Sequence, residues 1–308
     1  MSKSPSTLLL ACAFIALALC LSSCRYGLNE LFYRSDPPGQ RFLESSDRDC
    51  PTIAANLGGS VNAWLKANPG KGFSFIIASD LHFGKGASQR KAALDAFKAR
   101  AAASGAAFAL FDGDLVDTGT AAEYQAMTEW ASSLRTGEGA PQGGGQALPW
   151  FASIGNHDLY NGGWRFFKKC IGPSSWKFSV GGLSFYLIDS GSGAIGQGQL
   201  ERVSRDMSAD AQPKIVLSHY PIRGGEGYRY YRITNPRERA VLLELFHETG
   251  VELLLCGHYH RIVVTDCGSF DERIVGSLVD SNVDGKAHFA VVRVSASGAI
   301  EGIDTSIL

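Results

Sequence analysis

Nothing in this 308-residue chain is extreme in charge: 29 Lys and Arg stand against 30 Asp and Glu, a formal net charge of -1. Without an excess of either sign there is no general attraction to nucleic acid or to an anionic membrane surface. Cysteine is sparse, seven in all, which excludes the dense disulfide framework of a small secreted scaffold. No internal repeat is present, and no linker divides the body of the chain. Long apolar runs are absent apart from residues 8–21, a stretch suited to a secretory h-region and short for a membrane span. What remains is ordinary globular material, 45% apolar and 19% charged, enough for one large core. The 36 glycines fit many tight turns at the ends of buried strands.

The leader carries its own signal. Lys3 precedes the apolar run, and Leu21-Ser22-Ser23-Cys24 then resembles a bacterial lipoprotein cleavage box. Cleavage before Cys24 is preferred to cleavage before Cys20, where Leu19 is bulky. An ordinary signal peptide or an uncleaved anchor is the alternative. The preferred reading makes residues 1–23 a signal peptide, with Cys24 as the lipidation site. Residues 24–72 become a lipidated tether or wrapping segment, and residues 73–308 form one domain. The protein is then an exported, membrane-anchored lipoprotein facing the periplasm or the cell exterior. Arg25, rather than Asp, after the cysteine favours the outer membrane by resemblance to diderm lipoproteins. The body keeps Cys50, Cys170, Cys256 and Cys267; Cys256 ends an apolar run and reads as a small buried residue, and the spacing does not support a Cys50–Cys170 pair.

Along the body, apolar runs predict strands over 72–79, 107–111, 150–154, 176–180, 183–188, 214–217 and 251–256. Gly181-Gly182 marks a hairpin. Helices are predicted over 60–67, 88–103, 118–130, 198–207 and 236–249, the last with Pro236 at its start. Residues 136–146, rich in glycine and polar side chains, read as a surface loop. The end adds mainly strands, over 262–265, 273–278 and 288–294. Strands mixed with helices and then mostly strands predict an α/β (α+β) fold with two facing mixed sheets and helices outside, a four-layer αββα sandwich rather than an eight-unit barrel.

Five polar clusters each follow one of these apolar runs: Asp80-Leu81-His82, Gly113-Asp114-Leu115-Val116-Asp117, Gly155-Asn156-His157-Asp158, Ser218-His219-Tyr220-Pro221 and Gly257-His258-Tyr259-His260. On an extended strand end, Asp80 and His82 would point to the same side. Taken singly, Asp80 would be a turn or cap carboxylate, Asp114 and Asp117 an exposed loop, Asn156 a turn residue, and the histidines hydrogen-bond partners or structural zinc ligands. Taken together, the carboxylates, imidazoles and one amide suit a pair of first-row metals, and there are too many donors for one closed four-coordinate ion. Two ions about 4 Å apart can activate water and stabilise a transferring phosphoryl group.

These five clusters, in this order after strand-like runs, resemble the calcineurin-like metallophosphoesterases over residues 80–260. The resemblance implies one ion held by Asp80, His82, Asp114 and His260, and a second held by Asp114, Asn156, His219 and His258. It implies that His157 is not itself a ligand but faces the phosphate, where it stabilises charge or protonates the leaving oxygen. It also implies that Asp158 orients His157 or a neighbouring ligand, and that metal-bound hydroxide attacks phosphorus in line. The ions would be divalent or trivalent Mn, Fe or Zn. Asp112 and Asp117 are outer-shell or loop candidates.

A purple acid phosphatase would carry tyrosine where Asp117 stands and would normally lack His82; a large secreted nucleotidase would continue well past His260. The compact length and Asp-x-His opening look more like bacterial phosphodiesterases and some compact phosphomonoesterases. The expected substrate is an extracytoplasmic small-molecule or lipid phosphate ester, a phosphodiester before a monoester. Substrate-binding candidates are Asn156, His157, Arg223, Tyr228 and Arg229. Residues 222–232 would be one wall, residues 160–167 with Trp164 another. A solvated loop anchored by its tyrosines explains 222–232 equally well. Nucleic acid is a secondary reading. The other classes are a phosphomonoesterase of acid phosphatase or nucleotidase type, a catalytically inactive envelope-binding lipoprotein, and a structural zinc protein.

Overall fold

The computed structural model describes residues 38–41, 48–86, 88–224, 231–279 and 284–308. The leader, Cys24, Tyr228 and Arg229 lie outside the described residues. Among the described residues no helix is long and apolar enough to cross a membrane.

The architecture follows from how each strand divides its side chains. In β1 (Phe73–Ser79) all seven residues are buried. Phe73, Phe75 and Ile77 enter one hydrophobic cluster while Ile76 and Ala78 enter another. Period-two alternation therefore gives both faces of the strand to a core, as in sheets covered on two sides. β2 (Ala109–Asp112) and β3 (Trp150–Ser153) run parallel to β1, and β10 (His288–Val294) and β11 (Ile300–Ile307) complete the sheet antiparallel, in the order β11-β10-β1-β2-β3. The second sheet has the order β4-β5-β6-β7-β9-β8. Its parallel centre is β5 (Leu183–Ile188), β6 (Lys214–Ser218), β7 (Val251–Cys256) and β9 (Asp271–Val275), edged by antiparallel β4 (Trp176–Val180) and β8 (Ile262–Asp266).

Phe75, Phe108, Phe151, Phe178 and Phe185 fill the space between the sheets, with Phe178 and Phe185 stacked at 4.9 Å. The helices Ser88–Ala103, Ala121–Ser132 and Trp164–Cys170 cover the outer face of the first sheet, and Gln197–Ser208 and Pro236–Glu248 cover that of the second. The result is the expected α-β-β-α sandwich of two mixed sheets.

Several expectations need correction. The helix predicted over 60–67 spans Cys50–Ala67, because Asp49 caps it by accepting the Thr52 N–H at 3.2 Å and Pro51 stands in its first turn. The interior Gly58-Gly59 hid its first half; Gly58 packs so closely that a Cβ there would stand 3.1 Å from the Ser179 carbonyl. Strand β11 was not predicted at all: Gly302 and its polar neighbours blur the apolar alternation, and most of the strand's residues are only half-buried. As the spacing suggested, no disulfide joins Cys50 to Cys170 among the described residues.

Candidate metal centre

The five polar clusters meet at one end of the sandwich, where β1, β2 and β3 of one sheet and β6 and β7 of the other reach their C-terminal ends. Asp80 and His82 do share a direction, but not by strand alternation. Strand β1 stops at Ser79, and both residues are left-handed, with φ of 53° and 43°. Of the six described non-glycine residues with positive φ, five are Asp80, His82, Asp114, His258 and His260; the sixth is Asn161. Such conformations cost energy for residues with a Cβ and persist where the surroundings over-determine them.

The surroundings here are reciprocal hydrogen bonds between loops. Asp80 N–H donates to Gly113 O at 3.1 Å and His82 N–H to Asp114 O at 2.9 Å. The Asp80 carboxylate accepts the His258 N–H at 3.1 and 3.2 Å, and Asp114 Oδ1 accepts the His157 N–H at 2.8 Å. Glycine makes the approach close enough. A Cβ on Gly257 would clash with Ser79 Oγ and stand 2.7 Å from Asp80 Oδ2; one on Gly155 would clash with the Asp114 backbone.

Among the described residues three sets of donor atoms converge closely enough to hold an ion: Asp80, His82 and His260; Asp114, His219 and His258; and His82, Asp117 and His157. His260 Nε2 lies 3.0 Å from Asp80 Oδ1 and 3.3 Å from His82 Nε2. His219 Nε2 lies 3.2 Å from Asp114 Oδ2 and 4.0 Å from Asp80 Oδ1. The tautomer of His219 follows from its other nitrogen, since Nδ1–H donates to Asp112 O at 2.9 Å. Nε2, fully buried, is thereby aimed at the Asp114 carboxylate, to which it donates in the metal-free protein; it would turn ligand once that proton is displaced. A buried atom of this kind, among acids and imidazoles with converging lone pairs, fits a transition-metal pair. Asn156 is buried in the same floor and lines the same cleft as Asp114 and His258.

The electrostatics agree. Burial pushes the His82 and His258 imidazoles down to about 4 and about 3, so both are neutral, as ligands must be. Burial opposes charge on His219 too, but the Asp114, Asp80 and Asp112 carboxylates around it prevail and raise it to about 10. Asp114 is itself held far below the usual carboxylate range: burial works against its charge, and the surrounding His219, His82 and His157 outweigh it.

His157 is part-exposed, its ring edge-on to His82 at 4.5 Å. Its Nδ1–H donates to Asp117 O at 2.7 Å, and Asp117 Oδ1 stands 3.7 Å from the same nitrogen and 3.3 Å from His82 Nδ1. Asp117, rather than Asp158, is thus the carboxylate beside His157. Asp158, fully buried, accepts from Leu115 N, Val116 N and Gly155 N at 3.0, 3.2 and 2.8 Å. It clasps the loop after Asp114 to the loop before Asn156, and so reaches the centre through neighbouring ligands.

Above the floor lies an open cleft of about 360 Å³ lined by Asn156, His157, Tyr231, His258, Tyr259 and Arg261, among others. Arg223 is not among the lining residues; its N–H, with those of Ile222 and Gly224, is bound by the buried Glu272 carboxylate. Nor do Trp164 and Phe167 form a wall: they are core residues under the first sheet, and within that segment it is Tyr160, 37% exposed, that meets His157 at 4.7 Å. Tyr259 and Arg261 were missed as cleft residues, although both directly flank His260 in sequence.

Fold and site together define a dinuclear metal-binding phosphoesterase active site. Residues 73–261 match the calcineurin-like phosphoesterase family, and the chain belongs to it, as a metal-dependent phosphoric ester hydrolase. A search of curated protein sequences returned no match. Among solved structures, a dimetal phosphatase from Danio rerio superposes with a TM-score of 0.56 at 11% identity, covering 76% of this chain and 98% of its own. GAP50, the anchor in the inner membrane complex of Plasmodium, gives 0.54 at 17% identity, covering 77% and 90%. At such identities the likeness is one of fold.

Proposed function

We propose that this protein hydrolyses an extracytoplasmic phosphate ester, a diester in preference to a monoester, from a lipid anchor at Cys24. In this reading Asp80, His82, Asp114 and His260 hold one Mn, Fe or Zn ion, and Asp114, Asn156, His219 and His258 hold the other. The observation that carries it is the convergence of these donors from both sheets on the floor of one open cleft, with His157 beside them. When bound, the two ions supply an activated water and neutralise charge on the phosphoryl oxygens.

The remaining chemistry belongs to the chain. With Nδ1–H committed to Asp117 O, His157 presents Nε2 to substrate. Neutral, that atom only accepts a proton; as imidazolium, with the Asp117 carboxylate beside it, it donates to the leaving oxygen or to the phosphate. Past His260 and Arg261 a second hollow, of about 410 Å³, continues to Ile262, Asp284 and His288. This hollow shares His260 and Arg261 with the cleft and offers room for the second substituent of a diester, which supports that preference.

The test compares bis(p-nitrophenyl) phosphate with p-nitrophenyl phosphate on protein loaded separately with manganese, iron and zinc. Cyclic nucleotides and phospholipid head groups extend the panel. A higher kcat/KM for the diester is expected, and a preference for the monoester overturns that part of the reading. Release of a Cys24→Ala variant from membranes checks the anchor; an unchanged distribution rejects it.

A further inference from the structure

One buried polar cluster lies outside the centre and includes a residue well upstream of the family-matched region. Arg41, ending the short helix Pro38–Arg41, is fully buried, as are Asp189, Ser190 and Ser192. Its guanidinium grips Asp189 at two points, Nε to Oδ2 at 2.8 Å and Nη2 to Oδ1 at 2.7 Å, and also donates to Ser192 Oγ at 3.2 Å. Asp189 directly follows β5, whose parallel neighbour β6 ends at Ser218, so the pair sits at the catalytic end of the second sheet.

The turn 189–192 touches two ligand loops. Ser190 Oγ accepts the Tyr220 N–H at 2.9 Å and the Ser218 hydroxyl at 3.1 Å, bracketing His219 on either side. Gly191 lies so near the Gly155 carbonyl that a Cβ would stand 2.9 Å from it, which braces the residue before Asn156. Asp189 Oδ1 also accepts the Gly191 N–H at 3.2 Å, so the carboxylate that Arg41 neutralises is the one that shapes the turn. A buried carboxylate without its cation is strongly unfavourable. Asn156 (φ −75°) and His219, unlike the other five donors, have no left-handed backbone to aim them.

We propose that Arg41 is a positioning residue for the ion assigned to Asn156 and His219. Docking of the helix Pro38–Arg41, here called the strap, neutralises Asp189, sets the turn 189–192, and holds both donor loops in register. The inference rests on the two-ion reading above, and the experiment separates them. Full-length protein is stripped with chelator and titrated with Mn²⁺ by calorimetry, with electron paramagnetic resonance to distinguish a spin-coupled pair from a single ion. Wild type is expected to bind two ions. Arg41→Ala is expected to keep one site unchanged, weaken the other tenfold or more, and lose the coupled signal; Arg41→Lys recovers part of the affinity. A general loss of packing would weaken both sites together. If Arg41→Ala does not fold, Arg41→Met with Asp189→Leu removes both charges while filling the space, and the same selective loss is expected. Two unchanged sites, or equal weakening of both, in either folded variant overturns the strap's role. Fewer than two ions on wild type overturns the two-ion reading and the strap with it.

Discussion

The two sheets contribute different chemistry to the same centre. The first delivers Asp80, His82, Asp114 and Asn156 from the ends of β1, β2 and β3, so both carboxylates and the amide come from one side. The second delivers imidazoles only: His219 after β6, and His258 and His260 after β7. The division places the contact between the carboxylates and three of the four imidazole donors at the seam of the two sheets. It also sets how each donor is held. Those after β1, β2 and β7 are gripped by left-handed backbone and neighbouring glycines, whereas Asn156 and His219 lean on other loops.

The sharpest way to break the comparison is to remove the residue both ions share in our reading. Asp114→Asn is expected to lower turnover by several kcal/mol, about a thousandfold, and to weaken both ions. Steady-state kinetics and metal analysis check this, and loss of only one ion would show that Asp114 does not bridge. Next in size, His157→Ala should cost about 10²–10⁴-fold in kcat while metal content holds. A parallel fall in bound metal would make His157 a ligand instead.

Gly257→Ala tests the seam itself. Its Cβ would press on Ser79 and Asp80, with an expected cost of about 1–3 kcal/mol in stability, read by denaturant unfolding. The smallest effect concerns protons. His219, raised to about 10, holds a proton at neutral pH that an incoming ion must displace. Metal binding should therefore release about one proton and tighten as pH rises towards 10. Calorimetry in buffers of different ionisation enthalpy measures the release, and uptake or zero exchange would contradict it.

The comparison also explains what was legible beforehand. Short motifs carried the donors, because each sits within a few residues of a strand end where apolar pattern and polar cluster abut, as in Phe73–Ser79 followed by Asp80. The αββα layering was legible for the same reason: β1 is apolar on both faces, and alternation sends Phe75 one way and Ile76 the other. Conformation at the site was not. That Asp80 and His82 would be left-handed depends on Gly113, Asp114 and His258 from distant segments, which local pattern does not report. Trp164 and Phe167 misled because an aromatic near a catalytic motif looks the same whether it faces substrate or core. The strap was hidden because Arg41 and Asp189 meet across 148 positions of sequence.

Because the donors come from facing sheets, the ions do more than supply a reaction centre: they act as rivets through the fold. Any ligand bound by the native state alone shifts the unfolding equilibrium, by about 2.7 kcal/mol at a hundred times its dissociation constant. Holding the two halves of the sandwich together thus becomes a function of free metal concentration, and the melting temperature of this protein should climb as the ions are supplied.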